Sequence, residues 1–164
     1  MMSNKKFILS LLGIFFLQFY LAEFLSINMI RPDFLTIFII YTAIRYGRFY
    51  GVIAGFSLGI LTDLVGVGSY FGLSSLIYSI SGYLAGYLKD KYNRFIPLYF
   101  HLSWVGIILF QFLVYSYVRY QYLYETDLIT FFEKWILTLS YTMGFILILQ
   151  FVIPFRIFYR AESS

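Results

Sequence analysis

Apolar runs long enough to cross a membrane fill most of this chain, and short clusters of basic residues separate them. Hydrophobic residues make up 61% of the 164 residues, charged residues make up 12%, and the mean hydropathy is +0.80. Soluble domains are usually about 45–50% apolar and about 25% charged. Water therefore cannot be the main solvent of this chain. We expect one all-α integral membrane domain over residues 1–164.

Six apolar runs qualify as membrane spans, because a spanning helix needs about 20 apolar residues and about 17–25 are tolerated. The runs cover residues 7–25, 34–46, 49–64, 70–88, 95–118 and 135–155. Pro32 is expected at the first position of the second helix, where proline is tolerated, and Asp33 suits a helix N-terminus. The first run lies at the long end for a signal peptide and no small-x-small cleavage site follows it, so we expect it to be retained. Residues 119–134 are expected to form a polar outer loop.

Basic residues alternate between the two ends of these spans. One side carries Lys5, Lys6, Arg45, Arg48, Lys89, Lys91, Arg94, Arg156 and Arg160, and the other carries Arg31, Arg119 and Lys134. Cytoplasmic loops of membrane proteins collect Lys and Arg, so both termini are predicted to be cytoplasmic. Clusters of two or three cations between apolar runs are typical of membrane orientation. The net charge of +4 therefore does not indicate a nucleic-acid partner.

The second and third runs are short for a membrane span. Residues 34–46 cover only about 20 Å as a helix, against about 30 Å of hydrocarbon. A re-entrant hairpin entering from outside would place Arg45 and Arg48 deep in lipid, at about 2.5 kcal/mol or more each, so we reject it. Two short spans with local thinning of the bilayer cost less.

Glycine spacing is the clearest local pattern in the chain. Glycines recur every four residues at Gly51, Gly55 and Gly59, at Gly68 and Gly72, and at Gly82 and Gly86. Residues four apart share one helix face, and small residues let helix backbones pack closely in lipid. The pattern favours packing among the chain's own helices. A docking groove for a partner helix is the alternative, and both can hold on different faces.

Asp63 is the acid inside the apolar part of the third run. An ionisable residue within a membrane is a functional candidate by default. The span boundaries place Asp63 near the outer edge, just before a glycine-rich turn at residues 66–69. We therefore favour a carboxylate that caps the next helix or accepts hydrogen bonds from backbone amides. An ion relay and a pair with Arg31 or Arg119 are the alternatives.

No catalytic, metal or cofactor motif is present in the sequence. Cysteine is absent, and neither a nucleophile triad, a zinc-binding HExxH motif nor a phosphate-binding loop occurs. Glu125, Asp127 and Glu133 are interpreted as a solvated or partner-contacting surface, with Asp127 capping the last helix. His101 is interpreted as a hydrogen-bonded structural group, and Gln111 is interpreted as a group that joins helices by hydrogen bonds. We expect neither enzyme activity nor a cofactor.

Three stretches taken together resemble the bacterial rod shape-determining MreD family. They are RPDF, GVIAGFSLGILTDLVGVGSYFG and SGYLAGYL, in that order. The positions that match the family pattern are Pro32, Asp33, Gly51, Gly55, Phe56, Gly59, Asp63, Gly72, Gly82 and Gly86. Chain length, six spans and cytoplasmic termini match as well, so the resemblance covers essentially the whole chain.

The resemblance implies a non-enzymatic scaffold of the cell-wall elongation machinery in the bacterial inner membrane. Its expected partners are a single-span periplasmic MreC-like protein, the actin-like MreB filament, the glycosyltransferase RodA and a penicillin-binding transpeptidase. The family also resembles in fold the substrate-binding subunits of energy-coupling-factor vitamin transporters, so such a subunit is the alternative. The first span has one alanine, Ala22, and lacks the Ala-x-x-x-Ala pair typical of those subunits. This absence favours the scaffold.

Overall fold

The computed structural model describes residues 4–26, 30–65, 70–92 and 96–160. The regular elements of these ranges are helices, which confirms the expected all-helical architecture. In chain order they are α1 (Asn4–Phe24), α2 (Phe34–Tyr46), α3 (Arg48–Val65), α4 (Leu73–Gly86), α5 (Pro97–Arg119), α6 (Gln121–Thr126), α7 (Leu128–Val152) and α8 (Ile157–Arg160).

Helix length separates two groups among the described helices. Four of them, α1, α3, α5 and α7, are long and apolar enough to cross a membrane. In contrast, α2 has 13 residues and α4 has 14, so each covers only about 20 Å. Length and composition therefore support four crossings directly, and the six-span topology stays a prediction for α2 and α4.

The two short helices are packed around α3. The closest pair of helices is α3 and α4, and α2 contacts both. Gly47 ends α2 at a φ of +93°, a conformation that L side chains rarely adopt, and α3 begins at the next residue. Nine of the 13 residues of α2 are buried, including Ile39, Ala43 and Ile44. A helix that is apolar on all sides is an interior helix, and α2 lies inside the molecule.

Aromatic rings hold the basic residues at the α2–α3 turn. The guanidinium of Arg45 lies 5.0 Å from the centre of the Tyr46 ring and 5.2 Å from that of Phe158. The guanidinium of Arg48 lies 4.9 Å from the centre of the Tyr87 ring. These cation–π contacts keep both charges at the ends of their helices, away from the apolar middle.

A second group of buried side chains joins α5 and α7 to the chain that follows α7. Phe100 and Trp104 of α5 pack with Phe155, which lies just after Pro154. Trp104 Nε1 donates a hydrogen bond of 3.0 Å to His101 Nδ1 one turn earlier. This bond confirms the structural interpretation of His101.

The region expected to be a polar loop, residues 119–134, is mostly helical. It forms α6 and the first seven residues of α7, which begins at residue 128, directly after the predicted cap Asp127. Asp127 caps α7 by accepting a hydrogen bond from Thr130 N at 3.2 Å, and Gln121 bonds Glu125 at 3.0 Å. The loop prediction was wrong because hydropathy marks only where the apolar span stops. A helix can continue into polar residues when a cap and hydrogen bonds between side chains four residues apart stabilise it.

Candidate functional site

Five glycines form a seam between α3 and α4, named the glycine seam here. Its members are Gly51, Gly55 and Gly59 on α3 and Gly82 and Gly86 on α4. All five are buried. The nearest atoms across the seam belong mainly to the backbone of the facing helix or turn.

The seam leaves no room for a side chain at these positions. A methyl group added at Gly55 would lie 2.8 Å from the Ser79 nitrogen, and one added at Gly59 would lie 2.7 Å from the Ser74 carbonyl carbon. Separations under 3.0 Å essentially never occur for real Cβ atoms. The glycines of α3 therefore bring its backbone directly against α4, and this face of α3 is occupied within the chain.

Gly72 does not belong to the seam, although its spacing grouped it with the other glycines. It is the N-cap residue of α4 with a φ of +95°, and a methyl group added to it would meet nothing within 4 Å. Glycine suits this position because the backbone there is in a left-handed conformation. The packing prediction was wrong at this position, and its predicted pair partner, Gly68, lies outside the described residues.

The Asp63 carboxylate accepts hydrogen bonds from the start of α4. The donors are Gly72 N at 3.0 Å, Ser74 N at 3.3 Å and Ser75 N at 3.3 Å. These amides belong to the N-terminus of α4, where the first N–H groups have no partner within the helix and the dipole favours an anion. Asp63 thus joins the end of α3 to the beginning of α4. Arg31, which was considered as its partner, lies 3.7 Å from Glu23 instead.

A second carboxyl group, that of Asp33, lies inside the helix assembly. Asp33 caps α2 by accepting from Thr36 N at 2.9 Å, and it also accepts from Thr36 Oγ1 at 2.6 Å. Tyr78 of α4 donates its hydroxyl hydrogen to Asp33 at 3.0 Å. From α5, Gln111 Nε2 donates to Thr36 Oγ1. We call these four residues, Asp33, Thr36, Tyr78 and Gln111, the Asp33 cluster.

Two further side chains hold the backbone at the start of α2. Gln18 of α1 accepts a hydrogen bond from Phe34 N at 2.7 Å and donates one to Pro32 O at 3.1 Å. Thr142 of α7 accepts from Asp33 N at 3.1 Å. Side chains from α1, α4, α5 and α7 therefore meet at one point, the N-terminus of α2.

Pro32 and Asp33 are displaced by two positions from the expected arrangement. The helix begins at Phe34 with Asp33 as its cap, so Pro32 precedes the helix and is not its first residue. Sequence reasoning also missed the cluster around Asp33. The available signal was the set of polar residues inside apolar runs, Gln18, Thr36, Gln111 and Thr142. Of these, only Gln111 was interpreted as a group that joins helices, and its bond to Thr36 confirms that interpretation.

Residues 119–134 carry acidic side chains but form no cluster of metal-ligand type. No group of three or more His, Cys, Asp or Glu that could hold a metal ion occurs in the ranges that the structure describes. Hydrogen bonds from Thr130 hold the pKa of the exposed Asp127 carboxyl below its usual value. Asp127 is therefore an ionised helix cap, as expected from the sequence.

The exposed face of α1 forms a shallow apolar recess of about 500 Å³. It is lined by Phe16, Leu17, Tyr20, Leu21 and Phe24. Tyr20 and Phe24 are 77% and 85% exposed. Unlike the glycine face of α3, this face is not covered by another described helix of the chain.

Comparison with protein families yields one match. The family described as rod shape-determining protein MreD matches residues 4–162, nearly the whole chain. No curated protein and no solved structure matches the chain.

Proposed function

Because this chain belongs to the rod shape-determining protein MreD family, we propose that it acts in rod-shape determination as a non-enzymatic membrane scaffold. The observation that carries the proposal is the family match over residues 4–162. The scaffold binds an MreC-like single-span periplasmic protein through helix faces and outer loops. Through that complex it is connected to the MreB filament, RodA and a penicillin-binding transpeptidase.

The proposed setting is the bacterial inner membrane, with residues 1–164 as one multi-pass domain and both termini in the cytoplasm. The alternation of Lys and Arg between span ends supports this orientation. The exposed surfaces of α1 and α7 are mainly apolar, which suits contact with lipid or with another helix.

The outward face of α1 is the proposed contact for the partner's span. The glycine faces of α3 and α4 are closed against each other, so they are not open to a partner helix. On α1, Phe16, Tyr20 and Phe24 project from one side and form the recess described above. Aromatic side chains with a shallow groove between them suit a single helix lying alongside.

Site-specific crosslinking tests this contact in cells that express the MreC-like protein. A photoreactive residue at Tyr20 is expected to crosslink to the partner's membrane span. The same residue at Leu102 on α5, which is exposed in a comparable apolar setting, serves as the control and should not crosslink.

Affinity purification from native membranes tests the scaffold itself. The MreC-like protein is expected to co-purify with the tagged chain. Co-purification of a transporter ATPase in its place would support the vitamin-transporter alternative and contradict the scaffold. If the partner co-purifies but crosslinks at Leu102 and not at Tyr20, the scaffold holds and the α1 contact is wrong.

A further inference from the structure

The start of α2 lies at the depth of the membrane interior. Asp33 N is bonded to Thr142, which lies about 10 Å along α7 from Trp135, where the apolar part of that helix begins, and about 15 Å from Val152. Gln111, which is linked to Asp33 through Thr36, lies about 21 Å along α5 from Pro97 and about 12 Å from Arg119. Both long helices are candidate membrane spans. The Asp33 carboxyl therefore lies about 10 Å from the nearer ends of the apolar parts of these helices.

Among the described residues, no cation forms an ion pair with the Asp33 carboxyl. Within the described ranges, the one ion pair joins Arg31 to Glu23 and does not involve Asp33. The titratable neighbours are Tyr78 on α4 and, farther out on α5, Tyr115, whose hydroxyl group accepts a hydrogen bond of 3.0 Å from Arg119. The contacts from α1 and α7 come from uncharged Gln18 and Thr142, and residues 51–59 of α3 carry no charge. An ionised carboxylate at this depth without a paired cation is strongly disfavoured.

The hydrogen bonds of the Asp33 cluster are one donor short. Gln111 donates through Nε2 to Thr36 Oγ1, and Thr36 donates onward to Asp33. Gln111 is 2% exposed, and its other amide atom, Oε1, is buried without a hydrogen-bond donor. A proton on Asp33 would supply the missing donor. Asp33 would then donate to Thr36 Oγ1, and the hydroxyl hydrogen of Thr36 would be free to bond Gln111 Oε1 after a rotation of that amide.

We propose that Asp33 is an intramembrane proton-binding site, which holds one proton while α2 is docked against α4 and α5. The ligand is the proton itself, and no covalent bond other than the O–H bond forms or breaks. Release of the proton creates an unpaired charge in the apolar layer and loosens the start of α2. The docked state therefore binds the proton more tightly than an open, hydrated state does, so it is favoured at low pH and weakened as pH rises.

Infrared spectroscopy of the purified chain in lipid nanodiscs measures this proton directly. A protonated carboxyl has a C=O stretch that an ionised carboxylate lacks. The wild type is expected to show this band at neutral pH, and Asp33→Asn is expected to lose it. The matched control is Asp63→Asn, which changes an acid at the helix boundary and should keep the band. Absence of the band in the wild type overturns the proposal.

A second variant keeps the test decisive if Asp33→Asn does not fold. Thr36→Val removes the hydroxyl oxygen that accepts the hydrogen bond from protonated Asp33, so the C=O band should shift to higher frequency but remain. An unchanged band position would show that the protonated group is not Asp33.

Thermal unfolding supplies an independent measurement. The wild type should lose stability as pH rises above about 4, the ordinary pKa of an aspartate, whereas Asp33→Asn, which mimics the neutral acid, should lose less. The unfolding temperature should not depend on sodium at fixed ionic strength. If sodium stabilises the wild type and not Asp33→Asn, the site binds a metal cation and the proton assignment is wrong.

Discussion

The neighbours of each glycine distinguish two roles for this residue in the chain. At the seam positions the backbone of the opposite helix occupies the space that a side chain would need. At Gly13, Gly106 and Gly144 an added methyl group would meet nothing within 4 Å. In lipid, close approach is the main source of attraction between helices, because burial of apolar surface gains little there. Only the seam glycines are therefore required for α3 and α4 to pack.

Replacing Gly55 with alanine should destabilise the protein, and replacing Gly13 should not. Overpacking a closely packed site costs about 1–3 kcal/mol, and backbone atoms such as Ser79 N cannot move aside as side chains do. Gly13→Ala is the matched control on an open helix face, with an expected change near zero. The measurement is the free energy of unfolding in mixed micelles. Equal stability of the two variants would contradict the seam, and Gly55→Leu should unfold the protein or abolish partner binding.

Two aspartates with different surroundings show how position decides the role of a carboxyl group. Asp63 lies in the last turns of α3 and meets the amides at the start of α4. Asp33 lies among the hydroxyl groups of Thr36 and Tyr78 at the depth of the long helices. Both carboxyl groups cap a helix, since Asp33 also accepts from Thr36 N, but Asp63 lies at the end of a long helix whereas Asp33 lies between the ends of the long helices, where an unpaired charge is costly.

At the level of helices, α3 and α4 form a helical hairpin that two separate sets of contacts hold together. The glycine seam joins the two helices along their length, and Asp63 joins them at the turn end. The short helix α2 then packs on both helices. This unit holds one side of the Asp33 cluster, since Tyr78 reaches Asp33 from α4.

Substitution of Asp63 should weaken the turn end of this hairpin in a graded way. Asp63→Ala removes every cap acceptor and is expected to cost about 1–2 kcal/mol, whereas Asp63→Asn keeps one acceptor oxygen and should cost less. The order of unfolding free energies should be wild type, then Asn, then Ala. Normal expression with lost rod-shape function in Asp63→Asn would instead indicate that the charge itself is required.

For the molecule as a whole, the membrane topology depends on the two short helices, α2 and α4. The four long helices are long enough to cross the hydrocarbon layer, whereas α2 and α4 are about 10 Å shorter than that layer. Neighbouring long helices shield α2 from lipid, since nine of its residues are buried. A buried short helix does not need to match the bilayer as a lipid-facing helix does.

Cysteine mapping tests the six-span topology, because the chain has no cysteine of its own. Single cysteines at Ser26, Tyr70 and Glu125 should react with a membrane-impermeant maleimide in spheroplasts. Cysteines at Lys5, Asp90 and Arg156 should react only after the membrane is permeabilised. Labelling of Ser26 and Asp90 from the same side would contradict the six-span arrangement.

The features predicted well from the sequence are those that depend on residues close together in the chain. The bounds of α2 agree with the prediction, and the start of α5 at Pro97 lies close to it, because hydropathy, proline and basic residues all act locally. The role of Gly72 was misassigned because spacing alone does not distinguish a packed glycine from one that needs a positive φ. The loop expected at residues 119–134 was wrong because helix caps outweighed local polarity.

The sequence by itself determined the solvent, the helical class, the distribution of charge and the family, because each depends on composition or on residues near one another in the chain. Only the tertiary structure decided which glycines touch a backbone and which acid meets side chains of several other helices. Asp33 follows an apparent break between spans, and its surroundings depend on Gln18, Tyr78, Gln111 and Thr142 from four other helices. Contacts between residues so distant in the chain leave no local pattern, since each of these side chains is an isolated polar residue in its own apolar run.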